Sequence, residues 1–109
     1  MTSPPTKEIN LLHANVCQAV ADPKRILILY ALHERPYNVT HLAETLSLPQ
    51  PTVSRHLRVL RQQGLVTTER NGTAVTYDIA DRRIIQALDL LRAVMNDVVR
   101  KRSNLITGE

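Results

Sequence analysis

This 109-residue chain has no Phe and no Trp, and its only aromatic residues are three Tyr. Its core must therefore be aliphatic, which suits helices packed on helices. The single cysteine, Cys17, excludes an internal disulfide framework. Three unclustered glycines exclude a Gly-rich phosphate loop. No apolar run approaches the roughly 20 residues needed to span a bilayer. The opening MTSPPTKE lacks the basic-then-apolar pattern of a signal peptide, so no membrane association and a cytoplasmic location are expected. The length fits one domain, expected over residues 7–102, with a disordered tail at 1–6 and a flexible one at 103–109. Ser54 and His56 lie two apart and point to different sides of a helix, so they form no catalytic pair. An enzyme is not expected, and no cofactor is implied.

Acidic residues are also missing from the middle of the chain. No Asp or Glu occurs between Glu44 and Glu69, and that gap holds Arg55, His56, Arg58 and Arg61. The formal charge of +4 matters less than this uneven placement. Apolar Val39, Leu42, Ala43 and Leu46 fall at i, i+3, i+4, i+7, and the pattern restarts after Ser47-Leu48-Pro49 as Val53, Leu57, Leu60. Two short helices joined by a tight turn are predicted. The second is apolar on one side and basic or hydroxylated on the other, as a helix that lies against a polyanion should be.

The flanking segments extend this reading. A first helix is predicted over about residues 7–20, with Ile9, Leu12, Val16 and Ala19 on one face. Asp22-Pro23 supplies an N-cap and a first-turn proline for a core helix over about 23–33 carrying Ile26, Leu27, Leu29, Tyr30 and Leu32. Gly64 fits the position just past the basic helix. β-Branched residues on both sides of Asn71-Gly72 predict a hairpin with a type I′ turn. A last helix, about 81–102, repeats Ile84, Leu88, Leu91, Met95 and Val98 in a heptad-like seam widened by Ile85, Leu90, Val94 and Val99. That apolar surface exceeds what one small domain can cover. A homodimer interface is expected, formed by Leu12 and Val16 of the first helix with the last-helix seam. The expected fold class is mainly α with a small β-hairpin: a winged helix-turn-helix in the order α-α-α-α-β-β-α.

These landmarks resemble the ArsR/SmtB-type winged-helix repressors. The residues that carry the likeness are Ala21-Asp22-Pro23-Lys24-Arg25-Ile26, the run from Gln50 to Leu60, Gly64-Leu65-Val66, and the hairpin through Tyr77. One departure is Pro49, which stands where the family usually has a capping Ser; Ser47 is expected to cap a slightly earlier helix start. The resemblance implies a homodimeric repressor that binds an inverted-repeat operator in double-stranded DNA. With Val53, Leu57 and Leu60 facing inward, Gln50, Thr52, Ser54 and Arg55 are candidates for base edges. Arg58 and Arg61 are candidates for phosphates, and Arg70 and Thr73 flank the wing tip. His56 is a candidate either for a DNA contact or for a buried structural role.

Sensor sites known in the resembled family are incomplete here. A Cys-x-Cys pattern before the turn falls on Asn38 and Thr40, and a metal pattern on the terminal helix falls on Asp81, Arg83, Val94 and Asp97. Arg83 and Val94 are not metal ligands. A dithiol switch would need cysteines near Tyr30 and Asn96. What remains is His13 with Cys17, four apart, which could add two ligands to a site completed by Asp89 or Asp97 of the other subunit. The plainer expectation makes Cys17 a small core residue and His13 a surface one. The inducer is left open. Two other functions fit parts of the pattern: a winged-helix dimer adaptor, which predicts acids over the recognition surface, and a sequence-tolerant nucleoid-type DNA binder.

Overall fold

The computed structural model describes residues 2–107. In chain order the elements are α1 (Thr6–Leu12), a π-helical turn (His13–Cys17), α2 (Pro23–Glu34), α3 (Val39–Leu46), α4 (Gln50–Gln62), β1 (Val66–Asn71), β2 (Ala74–Ile79) and α5 (Arg83–Thr107). Residues 2–5 carry no regular structure, and α1 starts at Thr6.

The first helix departs from a simple stripe. The Gln18 N–H donates to the His13 carbonyl at 3.0 Å, a widened turn that inserts an extra residue. Downstream side chains are rotated relative to α1, so Ala19 is buried while Ile9 and Leu12 stay about half exposed. Ile9, Leu12, Val16 and Ala19 are therefore covered unequally by the chain's own domain, with Leu12 and Val16 lining one cleft beside Ile84. The core helix α2 begins as the sequence indicates, with the Lys24 N–H donating to the Asp22 carboxylate at 2.8 Å. Leu29 and Leu32 are fully buried, and so is Ile28, which the sequence reading passed over; Leu27 instead faces outward.

The helix-turn-helix is framed by two matching C-terminal caps. At the end of α3 the Leu48 N–H donates to the Ala43 carbonyl and the Ser47 N–H to that of Glu44. At the end of α4 the Leu65 N–H donates to Leu60 and the Gly64 N–H to Arg61. Both are Schellman motifs, which need a left-handed residue after the helix. Gly64 supplies it with φ +76°, whereas Ser47 adopts φ 54°, ψ 44° as a non-glycine residue. Ser47 thus terminates α3 and does not cap α4, which begins after Pro49 with no side-chain cap. Asn38 caps α3, its side chain accepting from the His41 N–H at 2.8 Å.

The wing is a two-stranded antiparallel hairpin in which Asn71 pairs with Ala74 and Arg70 with Val75. Its two-residue turn is therefore Gly72-Thr73, one step later than the expected Asn71-Gly72. Only Gly72 has positive φ there, as in the II′ class, so Asn71 is spared the left-handed conformation a type I′ turn demands. The partner of each strand residue moves by two, which keeps every side chain on its expected face. Tyr37 adds a one-residue third strand, exchanging both backbone hydrogen bonds with Tyr77 at 3.0 and 2.7 Å. This bridge moors the wing to the loop between α2 and α3.

Helix α5 packs on α2 through its first turns, where Ile85 and Leu88 are buried. It then continues through Thr107, so residues 103–107 are helical where a flexible tail was expected; residues 108 and 109 lie outside the described residues. The Cα radius of gyration is 17.0 Å, against about 13 Å for a compact domain of this length. The difference reflects a helix that runs past its own domain.

Candidate nucleic-acid interface and dimer surface

Helix α4 presents two chemically different sides. Val53, Leu57 and Leu60 are fully buried against the rest of the domain. Gln50, Ser54, Arg55, Arg58 and Arg61 are exposed, and Thr52 is half-buried beside them. None of these arginines forms an ion pair among the described residues; the four ion pairs recorded there lie elsewhere. Gln50 sits at the helix start, its side-chain oxygen 3.4 Å from the Thr40 hydroxyl. Arg70 and Thr73 are exposed near the hairpin tip, again without an ion pair. The fold thus brings a line of uncompensated cations and hydroxyls onto one surface, as the charge gap in the sequence indicated.

His56 is the exception among the sequence candidates. It is only 7% exposed, and its Nε2 lies 3.9 Å from the Asp22 carboxylate at the start of α2. Burial pushes its imidazole below the ordinary value, while Asp22 pulls the other way. His56 therefore belongs to the packing between α4 and α2, and it is withdrawn from the DNA-contact set. The signal was present: position 56 is three residues after Val53 and four before Leu60, which puts it on the buried side. Asp22 is itself held below the usual carboxylate range, first by the Lys24 N–H and also by nearby positive charge.

The second surface is apolar. Leu12, Leu91, Met95 and Val98 are exposed, together with Ile9, Leu90, Val94 and Val99. Val16 and Ile84 are half-buried. Leu88 is 6% exposed and belongs to the domain's own core, so it leaves the proposed dimer seam. Its heptad position could not reveal this, because a seam facing α2 and one facing a partner have the same period. Between α2 and α5, Tyr30 donates a 2.6 Å hydrogen bond to Asp89, with Arg92 against both. At the foot of α5, Arg82 donates to the His33 carbonyl at 2.8 Å, joining the ends of the two helices.

The sequence positions tested for sensing are occupied by other interactions. Arg83 clasps Asp81 at 2.7 Å and holds its carboxyl down to about 2. Asp89 is engaged by Tyr30 and Arg92, and Asp97 lies 3.9 Å from Arg100. His13 and Cys17 are both exposed, so Cys17 is not the small core residue it was expected to be. Among the described residues no group of three or more His, Cys, Asp and Glu is placed to hold a metal ion. No helix there is long and apolar enough to cross a membrane.

A helix-turn-helix followed by a hairpin wing, with a basic helix beside it, defines a winged helix-turn-helix protein. Residues 22–68 match the bacterial regulatory protein arsR family. The chain is 43% identical to the HTH-type transcriptional regulator NmtR of Mycobacterium tuberculosis over 76 residues, covering 70% of this chain and 63% of NmtR. It thus spans less than two thirds of that relative's length. The crystal structure of NolR from Sinorhizobium fredii matches with a TM-score of 0.73 and 33% identity, covering 86% of this chain and 94% of NolR. A homodimeric winged helix-turn-helix DNA-binding domain from Mycobacterium bovis, a possible ArsR-family transcriptional regulator, matches with a TM-score of 0.74 and 27% identity, covering 93% and 95%. This chain belongs to the ArsR family.

Proposed function

We propose that the chain is a transcriptional repressor that binds an inverted-repeat operator in double-stranded DNA as a homodimer. The observation that carries this reading is the exposed side of α4, where Arg55, Arg58 and Arg61 stand without acidic partners. Gln50, Thr52, Ser54 and Arg55, near the N-terminal end of that helix, reach base edges in the major groove: Arg forks onto guanine and Gln onto adenine. Arg58 and Arg61 hold phosphates, and Arg70 and Thr73 bring the wing to the flanking backbone or minor groove. The similarity to NmtR, an HTH-type transcriptional regulator, and to the homodimeric DNA-binding domain from M. bovis supports the same reading.

The dimer is formed by Leu12 and Val16 with Ile84, Leu91, Met95 and Val98. Burying these groups removes apolar area that α5 exposes in the isolated chain. Two-fold symmetry then sets two α4 helices about 34 Å apart, on successive major-groove faces. The lack of acids on the recognition surface speaks against the adaptor reading. The metal and dithiol positions named above do not make a ligand set, because Arg83 and Val94 are not metal ligands, Arg83 holds Asp81, and Tyr30 and Asn96 are not thiols.

The test is fluorescence anisotropy with DNA from upstream of the chain's own gene, against random duplex of equal length. Selective binding that R55A abolishes and R58A weakens on both duplexes is the expected result. Equal affinity for both duplexes would favour the nucleoid-type reading, and no binding at low salt would favour the adaptor.

A further inference from the structure

Gln50, the first of the base-edge candidates, is held from both ends. Its backbone opens α4 between two prolines: Pro49 is the N-cap, with φ −59°, and Pro51 is the second helical residue. A proline ring fixes its own φ and narrows the backbone choices of the residue before it, so the Cα–Cβ bond of Gln50 has little freedom to swing. The far end of the side chain meets α3, where the Thr40 hydroxyl donates to the Gln50 Oε1 at 3.4 Å. Thr40 is the second residue of α3 and is well placed to hold a neighbour still. Asn38 caps that helix through the His41 N–H, and the Leu48 N–H ties its end into the turn through the Ala43 carbonyl. Being β-branched, Thr40 also has a restricted side-chain torsion. Both side chains are exposed, at the reading end of α4. At 3.4 Å the contact is long for O–H···O, so its work is to orient the amide and not to stabilise the fold. A carboxamide oxygen carries two lone pairs. One faces Thr40, which turns Nε2 away from α3 and leaves the second lone pair beside the Nε2 amino group. That adjacent acceptor and donor match adenine N6–H2 and N7. An amide free to turn presents the two in either order, and fixing it on binding costs side-chain entropy.

We propose that Thr40, outside the base-reading set, is a specificity-determining positioning residue that orients the Gln50 amide to read adenine in the major groove. This rests on the operator-binding function proposed above. Thr40 touches no base in this arrangement and acts through Gln50 alone.

The experiment compares wild type, T40V, T40S and Q50A as full-length chains on the upstream duplex and on versions of it with each half-site base pair substituted in turn. Q50A should erase a preference for adenine at one position of each half-site. In wild type that preference should be on the order of 5- to 150-fold. T40V should lower it by about 2- to 12-fold, the worth of one hydrogen bond, at that position alone. T40S keeps the hydroxyl and should keep the preference. The salt slope and thermal midpoint of T40V should match wild type, since no charge and no buried contact is lost. A T40V profile equal to wild type, a loss spread over all positions, or T40S as impaired as T40V would overturn the proposal while leaving operator binding intact. So would a Q50A that flattens no adenine position. Wild type that binds the upstream duplex no better than random duplex would overturn the functional reading and the role of Thr40 together.

Discussion

Two caps of the same type end α3 and α4, one built on serine and one on glycine, and they should respond to mutation with opposite signs. Ser47 holds φ 54°, ψ 44°, a conformation that costs an L-residue about 1–2 kcal/mol. Its hydroxyl makes no hydrogen bond among the described residues. Ser47→Gly removes the steric cost but adds unfolded-chain entropy of about 0.5–1 kcal/mol. The net expectation is stabilisation of about 0.5–1 kcal/mol. Gly64 has φ +76°, and a Cβ built there meets nothing within 4 Å. Gly64→Ala therefore carries only the torsional cost, partly offset by entropy, and should destabilise by about 1 kcal/mol. Urea unfolding at fixed protein concentration measures both. The midpoints should move apart, up for S47G and down for G64A, with unchanged m-values. A shift of 1 kcal/mol corresponds to about 4–8 °C in thermal midpoint for a domain near this size. A destabilised S47G with an unchanged m-value would refute the cap argument.

Leu57→Ala should destabilise by about 2–5 kcal/mol, since the side chain is fully buried between α4 and the core; denaturant unfolding checks it. Met95→Glu should leave the monomer fold intact and shift sedimentation velocity from dimer to monomer, because Met95 is exposed on the free part of α5. His56 takes up a proton less readily folded than unfolded, since burial disfavours its charged form. Its contribution is therefore full above about pH 6.5 and is lost as pH falls toward the lower folded-state value. Urea midpoints at pH 7.5 and 5.5 should differ in wild type, and that difference should shrink in His56→Asn.

Features that depend on neighbouring residues were legible before the structure. The charge gap, the i, i+3, i+4 stripes of α3 and α4, the Asp22-Pro23 helix start and the Gly64 stop are all local patterns, and the structure contains each of them. The details that escaped depend on distant partners or on one backbone torsion. Tyr37 and Tyr77 pair across 40 positions, and no sequence period marks a one-residue strand. The hairpin turn slips by one residue because Gly72 can serve as its first or second central position, and pairing with β1 decides between them. The π-helical turn after α1 carries no obvious signature in His13–Cys17. Leu88 shows the same limit from the other side: helical spacing says which face it occupies and not which molecule covers it.

The most direct test of the account is the salt dependence of binding to an inverted-repeat probe from the upstream region, compared with random duplex. Arg58, Arg61 and Arg70, doubled in the dimer, make six phosphate contacts and predict a log–log slope of about −5. The same steep slope on both probes, with the operator bound at least ~10³-fold more tightly, is the predicted result. A shallow slope near zero, or equal affinity for both probes, would contradict the claim that the basic side of α4 reads operator DNA.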